Sequence, residues 1–207
     1  MITIDTLNQF HLVLASQSPR RHTLLTQLGL KFDVLSLDID ESYPPELTAE
    51  AIPLYVCQQK SLAYPEADIS PKTIVITADT IVWINETVLG KPDDAEDAKR
   101  MLRQLSGNKH EVITGVCLRS QHQSITFSIN TGVWFKPLTD EEIELYVENF
   151  KPFDKAGAYA IQEWIGFIGI HRIEGSYFNV VGLPVQRLYT ELLAFCEKEN
   201  QKEGNLI

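Results

Sequence analysis

Four stretches of the sequence carry the residue types that handle phosphate esters and hard cations. Ser16-Gln17-Ser18-Pro19-Arg20-Arg21 lies between an apolar run and a helical pattern. A helix N-terminus there would offer unpaired N–H groups and a partial positive charge to an anion. Two adjacent arginines would add charge-assisted, bidentate contacts, although the glycine spacing of a phosphate-binding loop is absent. Asp38, Asp40 and Glu41 supply oxygen donors suited to Mg²⁺. Asp79 stands inside the apolar run 74–83, where a carboxylate is costly to bury unless it meets a cation or several donors. Lys60 and Lys91 could supply positive charge, and Lys91 is held in Leu89-Gly90-Lys91-Pro92 between a permissive and a stiff residue. Each feature alone has a plainer reading. Ser18 could be a simple helix cap, Asp79 an acid satisfied by backbone N–H groups, and the other charges a solvated surface. The case rests on the set.

Two further stretches look constrained. Residues 154–162 combine charge, small residues and the amide of Gln162, whose donor and acceptor faces suit a base edge. A buried structural amide is the open alternative. Residues 175–184 read mainly as packing. The five histidines are scattered and suggest neither a triad nor a metal cage. Cys57, Cys117 and Cys196 are odd in number and lack CxxC spacing, so they read as buried apolar residues of a reducing compartment.

These residues need elements to position them. The pattern predicts a strand from His11 to Ala15, then a helix capped by Ser18 with Pro19 in its first turn and closed by Gly29. Alternation at Phe32, Val34 and Leu37 predicts a half-buried strand over 31–38. A helix over about 53–64 and a β-branched strand over 73–84 follow. Asp93 or Asp94 caps a helix with the stripe Ala95, Ala98, Met101, Leu102 and Leu105, stopped by Gly107. Residues 110–118 and 124–135 form a long hairpin turning at 121–123. Thr139 and Glu142 make a capping box for a helix to about Asn149. Short strands are expected around 157–181, then an amphipathic helix over about 184–198 and a polar tail from about Asn200 that frays. Without an internal repeat or linker the 207 residues read as one domain, α/β in class, a mixed twisted sheet with flanking helices.

Composition limits the partners. Hydrophobic residues make up 44%, enough for a full core. Eighteen Lys and Arg against 28 Asp and Glu give a net charge of −10, which argues against coating nucleic acid or an anionic membrane. A small polyanion needs only a local cluster of cations and is not excluded. The first 15 residues lack a basic start followed by an apolar run, and no uncharged apolar stretch reaches membrane-spanning length, so a cytoplasmic soluble protein is expected.

Leu14-Ala15-Ser16-Gln17-Ser18-Pro19-Arg20-Arg21, Ala78-Asp79-Thr80, Leu89-Gly90-Lys91-Pro92, Leu105-Ser106-Gly107, Thr114-Gly115, Asp154-Lys155-Ala156-Gly157-Ala158-Tyr159 and Val181-Gly182-Leu183-Pro184 occur in that order. From about residue 11 to 193 the chain resembles the Maf family. The resemblance implies a house-cleaning nucleoside triphosphate pyrophosphatase that cuts between the α- and β-phosphates, giving the nucleoside monophosphate and diphosphate. It implies a metal-dependent enzyme using Mg²⁺ or Mn²⁺, often a homodimer, with a fold like the inosine triphosphatase group and a cleft between two lobes. Asp79 matches the family's proton acceptor, Glu41 an acid beside the metal that Asp79 would share, and Ser16, Arg20, Lys60 and Lys91 positions on the phosphate chain. Arg20, Thr80 and Gln162 match the branch acting on dTTP and UTP. A 7-methyl-GTP pyrophosphatase and a nucleotide-binding regulator of septum formation are the alternatives. The chain departs from the family at Lys151, where an acid is common, and at Glu163, where Gly is frequent.

Overall fold

The computed structural model describes residues 4–37 and 39–204; Asp38, counted above among the candidate acids, lies outside them. A short helix α1 (Ile4–Leu7) leads into β1 (His11–Ala15), α2 (Pro19–Gln27), β2 (Phe32–Leu35) and α3 (Ala51–Ala63). The long strand β3 (Thr73–Ile84), the short β4 (Thr87–Leu89) and α4 (Ala95–Leu105) follow. Then come β5 (Lys109–Arg119), β6 (Ser124–Phe135), α5 (Asp140–Phe150), α6 (Trp164–Gly169), β7 (Ile170–Glu174), α7 (Tyr177–Val181) and α8 (Val185–Gly204).

The strands form one seven-stranded mixed sheet in the order β2-β1-β3-β5-β6-β7, with β4 attached to β3. β1 is parallel to both β2 and β3, while β3, β5, β6 and β7 are antiparallel neighbours. Continuous burial after His11 in β1 follows from that central, parallel position, covered on both faces. The expected α/β class with a mixed sheet and flanking helices is the observed one.

Two hydrophobic clusters lie at opposite ends of the long strands. Even-numbered residues of β3 enter the first cluster at Ile74, Ile76 and Ala78, against α2 and α8. They enter the second at Val82 and Ile84, against α4, α5 and α6. Because strand side chains alternate with period two, Thr80 falls between the clusters. That boundary becomes the cleft between two lobes.

Several local expectations are corrected. The strand expected over 31–38 shortens to Phe32–Leu35, and the helix expected from 53 begins at Ala51. Of the short strands expected around 157–181 only β7 forms. A short apolar run has no decisive period, and here α6 and α7 claim it, with the Ser176 hydroxyl capping α7 at the Asn179 N–H. The last helix, expected over about 184–198, runs from Val185 to Gly204. Among the described residues no helix is long and apolar enough to cross a membrane.

Candidate active site

The cleft opens where β3 lacks a strand on one side. β1 pairs with β3 through Ile76, and β4 pairs only from Val82. Between them residues 77–81 have no partner strand on that side, and residues 78–82 line a cavity of about 640 Å³. Ser16, Arg20, Glu41 and Lys60 line it, as do Asp79, Thr80, Lys91 and Gln162. The eight residues that the family resemblance assigned to the site therefore meet in one place, whereas Asp40, the other described candidate acid, stays outside it and caps the Ser42 N–H and hydroxyl. Five cationic side chains (Arg20, Arg21, Lys60, Lys91 and Lys155) face three carboxylates (Glu41, Asp79 and Asp154) in the cavity wall. A chain of net charge −10 has concentrated a cationic surplus in its cleft.

Asp79 and Lys60 meet because α3 lies close on β3 and β5. Thr77 donates to the Cys57 carbonyl at 2.6 Å, fixing the helix to the strand two residues before Asp79. Gly115, directly opposite Asp79, lets the start of α3 approach: a Cβ there would stand 2.4 Å from the Pro53 carbonyl oxygen. Lys60 Nζ, in the last turn of α3, donates to Asp79 Oδ1 at 2.8 Å and lies 2.9 Å from Glu41 Oε1. The Lys60 and Asp79 side chains are each 13% exposed, whereas Glu41 is 51% exposed on its loop. Burial pushes the Glu41 carboxyl up, but the hydrogen bond to Lys60 and the charges of Lys60, Lys91 and Arg21 outweigh it and hold the group below the usual carboxylate range.

The two arginines part company. Arg20 reaches along the cleft to Asp154 at 3.1 Å. Arg21 turns inward and is buried. Its Nε donates to the Gly182 carbonyl at 2.8 Å, Nη1 to the Ala78 carbonyl at 2.9 Å and Nη2 to Thr80 Oγ1 at 2.9 Å. It thus closes the exposed edge of β3 and is not a free phosphate ligand of the paired kind expected from the sequence. The signal was present: positions 21, 24, 25 and 28 share one helix face, and the last three are leucines. The residues 175–184 explain themselves through the same contacts. Asn179 is buried and donates to the Val112 carbonyl and Thr131, which holds Gly182 against Arg21.

The far wall belongs to the second lobe. Gly157, at φ +67, donates its N–H to the Gly90 carbonyl and so fixes the loop that presents the exposed Lys91. A positive φ suits glycine there, and Val82 leaves little room for a side chain. Asp154 accepts from Arg20 through one oxygen and from Lys155 at 2.6 Å through the other. Lys155, nearly buried, also lies 3.4 Å from Glu163, which accepts a hydrogen bond from Tyr146. Lys155 and Asp154 are cleft residues that motif reading had left unassigned. Gln162 lines the cleft, and its amide oxygen is buried without a protein partner.

A family model described as Maf-like protein matches residues 11–195. The chain belongs to the Maf family. The Maf match takes in every cleft residue named above. A protein of Phocaeicola vulgatus named dTTP/UTP pyrophosphatase is 54% identical over 190 residues, covering 91% of this chain and 98% of that one. One of the same name from Porphyromonas gingivalis is 50% identical over 196 residues, covering 94% and 98%. The solved structure of the Staphylococcus aureus Ham1 protein aligns over 91% of this chain and 99% of that one at 14% identity and a TM-score of 0.45.

Proposed function

We propose that this Maf chain is a nucleoside triphosphate pyrophosphatase acting on dTTP and UTP, releasing the nucleoside monophosphate and pyrophosphate. The observation that carries the reading is the cationic cleft whose floor joins Asp79, Lys60 and Glu41. The names of relatives at about half identity over nearly the full chain support the substrate.

Hydrolysis at the α-phosphorus needs a proton acceptor for water and fixed charge for the leaving pyrophosphate. Asp79, on the central strand β3, takes the water proton. Lys60, Lys91 and Arg20 hold the phosphate oxygens, and Ser16 at the entry to α2 adds a hydroxyl donor. Gln162, which lines the cleft together with Arg20, reads the pyrimidine edge through its amide. Thr80 lines the cleft itself and is held there by Arg21.

A divalent cation fits this set in one way. Among the described residues no group of three or more His, Cys, Asp or Glu forms a ready metal cage. Yet Glu41 Oε1 and Asp79 Oδ1 reach one positive nitrogen from two segments. Two carboxylates suit a Mg²⁺ or Mn²⁺ whose other ligands are phosphate oxygens and water. When bound it would neutralise phosphate charge and acidify water.

A panel of canonical and modified nucleoside triphosphates, assayed for pyrophosphate with Mg²⁺ or Mn²⁺, tests the reading. dTTP and UTP should be turned over fastest. No pyrophosphate from either, or equal turnover of GTP, would refute the substrate assignment.

A further inference from the structure

We propose that Lys60 keeps the cation site shut until nucleotide arrives, so that the divalent ion enters with the polyphosphate and not before it. The inference rests on the proposed use of Glu41 and Asp79 as cation ligands and concerns the order in which that site fills.

Three observations carry it. The Lys60 ammonium already bridges both carboxylates, at 2.9 and 2.8 Å, and it does so from a nearly buried position. An ammonium and a divalent cation cannot occupy the same pair of oxygens, because at such separations their repulsion is strong even in a polar site. The surrounding cleft also repels a free cation, since its five cationic side chains outnumber its three carboxylates. A triphosphate reverses both terms. Its negative charge draws the cation in and gives Lys60 other oxygens to hold, and the four-carbon lysine stem allows the swing. Lys60 is thus a positioning residue for the cation as well as a phosphate contact.

The test is Mn²⁺ binding to the full chain, followed by electron paramagnetic resonance of the free ion. Without nucleotide, Lys60→Met should bind Mn²⁺ at least tenfold more tightly than the parent, while Lys60→Arg, which keeps the charge, should stay weak. Adding α,β-imido-dUTP to the parent should raise its Mn²⁺ affinity at least tenfold. Circular dichroism checks that each variant is folded, and Lys60→Gln replaces Lys60→Met if that one is not. Equal affinity of the parent and the uncharged variant overturns the proposal. So does tight binding by Lys60→Arg, or an analogue that leaves the parent's affinity unchanged. The nucleotide-free comparison does not depend on turnover. If the parent releases no pyrophosphate from dTTP, the proposed function fails while the Lys60 result still stands or falls by itself.

Discussion

Arg21 Nη2 donates to Thr80 Oγ1 at 2.9 Å, and that bond ties the first turn of α2 to the strand that carries Asp79. The same guanidinium serves the carbonyls of Ala78 and Gly182, so three separate segments meet on one buried cation. Arg21→Met would take the charged donor away from all three acceptors at once. Loss of charged hydrogen bonds in a buried setting costs about 3 kcal/mol or more, so urea melts should show a fall in stability of that order. The corresponding Arg20→Met change, on a side chain that reaches only the exposed Asp154, should alter stability by less than about 1 kcal/mol.

Gly115→Ala places a methyl group against the backbone of Pro53 and Leu54. Backbone cannot swing aside, so α3 must shift, and with it Lys60. Overpacking of this kind costs about 1–3 kcal/mol. The distinguishing outcome is catalytic: pyrophosphate release should fall at least tenfold at a temperature where the variant is still folded. Full activity in the folded variant would show that the spacing of Lys60 and Asp79 is not set by this contact.

His110 is buried against Phe135 and Tyr159, with Nε2 2.7 Å from the Tyr159 hydroxyl. Burial lowers its pKa to about 3. Between there and the ordinary value near 6.5 the unfolded chain binds a proton that the folded chain refuses. Stability should therefore decline as pH falls from 6.5 toward 3, by about 2 kcal/mol at pH 5 from this group alone. His110→Gln should flatten that part of the profile in urea melts at pH 5 and 7. An unchanged slope would mean that His110 is protonated in the folded protein.

Gln162→Ala removes the amide that carries the unpartnered oxygen. Selection by a buried hydrogen bond is worth about 1–3 kcal/mol, so kcat/KM for dTTP and UTP should drop roughly ten- to a hundredfold. GTP and ATP should change far less. An equal loss for all four nucleotides would assign Gln162 to packing.

The sequence made the cleft legible because its residues sit in short motifs with strong local constraints. Ser18 does cap α2, and Thr139 with Glu142 does form the capping box. The long β3 with its embedded acid was readable because β-branched runs have few other uses. What escaped were relations set by tertiary packing. β4 is three residues long and exists only against β3. Arg21 was grouped with its neighbour because adjacency in sequence hid the difference of about 100° in helical direction. Lys155 is nearly buried because Asp154 and Glu163 flank it, and the approach of Glu163 is fixed only when α6 docks.

The most direct trial is the release of dTMP and pyrophosphate from dTTP by the parent chain and by Asp79→Asn, in the presence of Mg²⁺ or Mn²⁺. The parent should give those two products, and the variant should be slower by about 10²–10³-fold, the usual effect of losing one fixed catalytic contact, at a temperature where circular dichroism shows it still folded. Turnover by the variant within a few-fold of the parent, or release of orthophosphate and dTDP by the parent, would contradict the account.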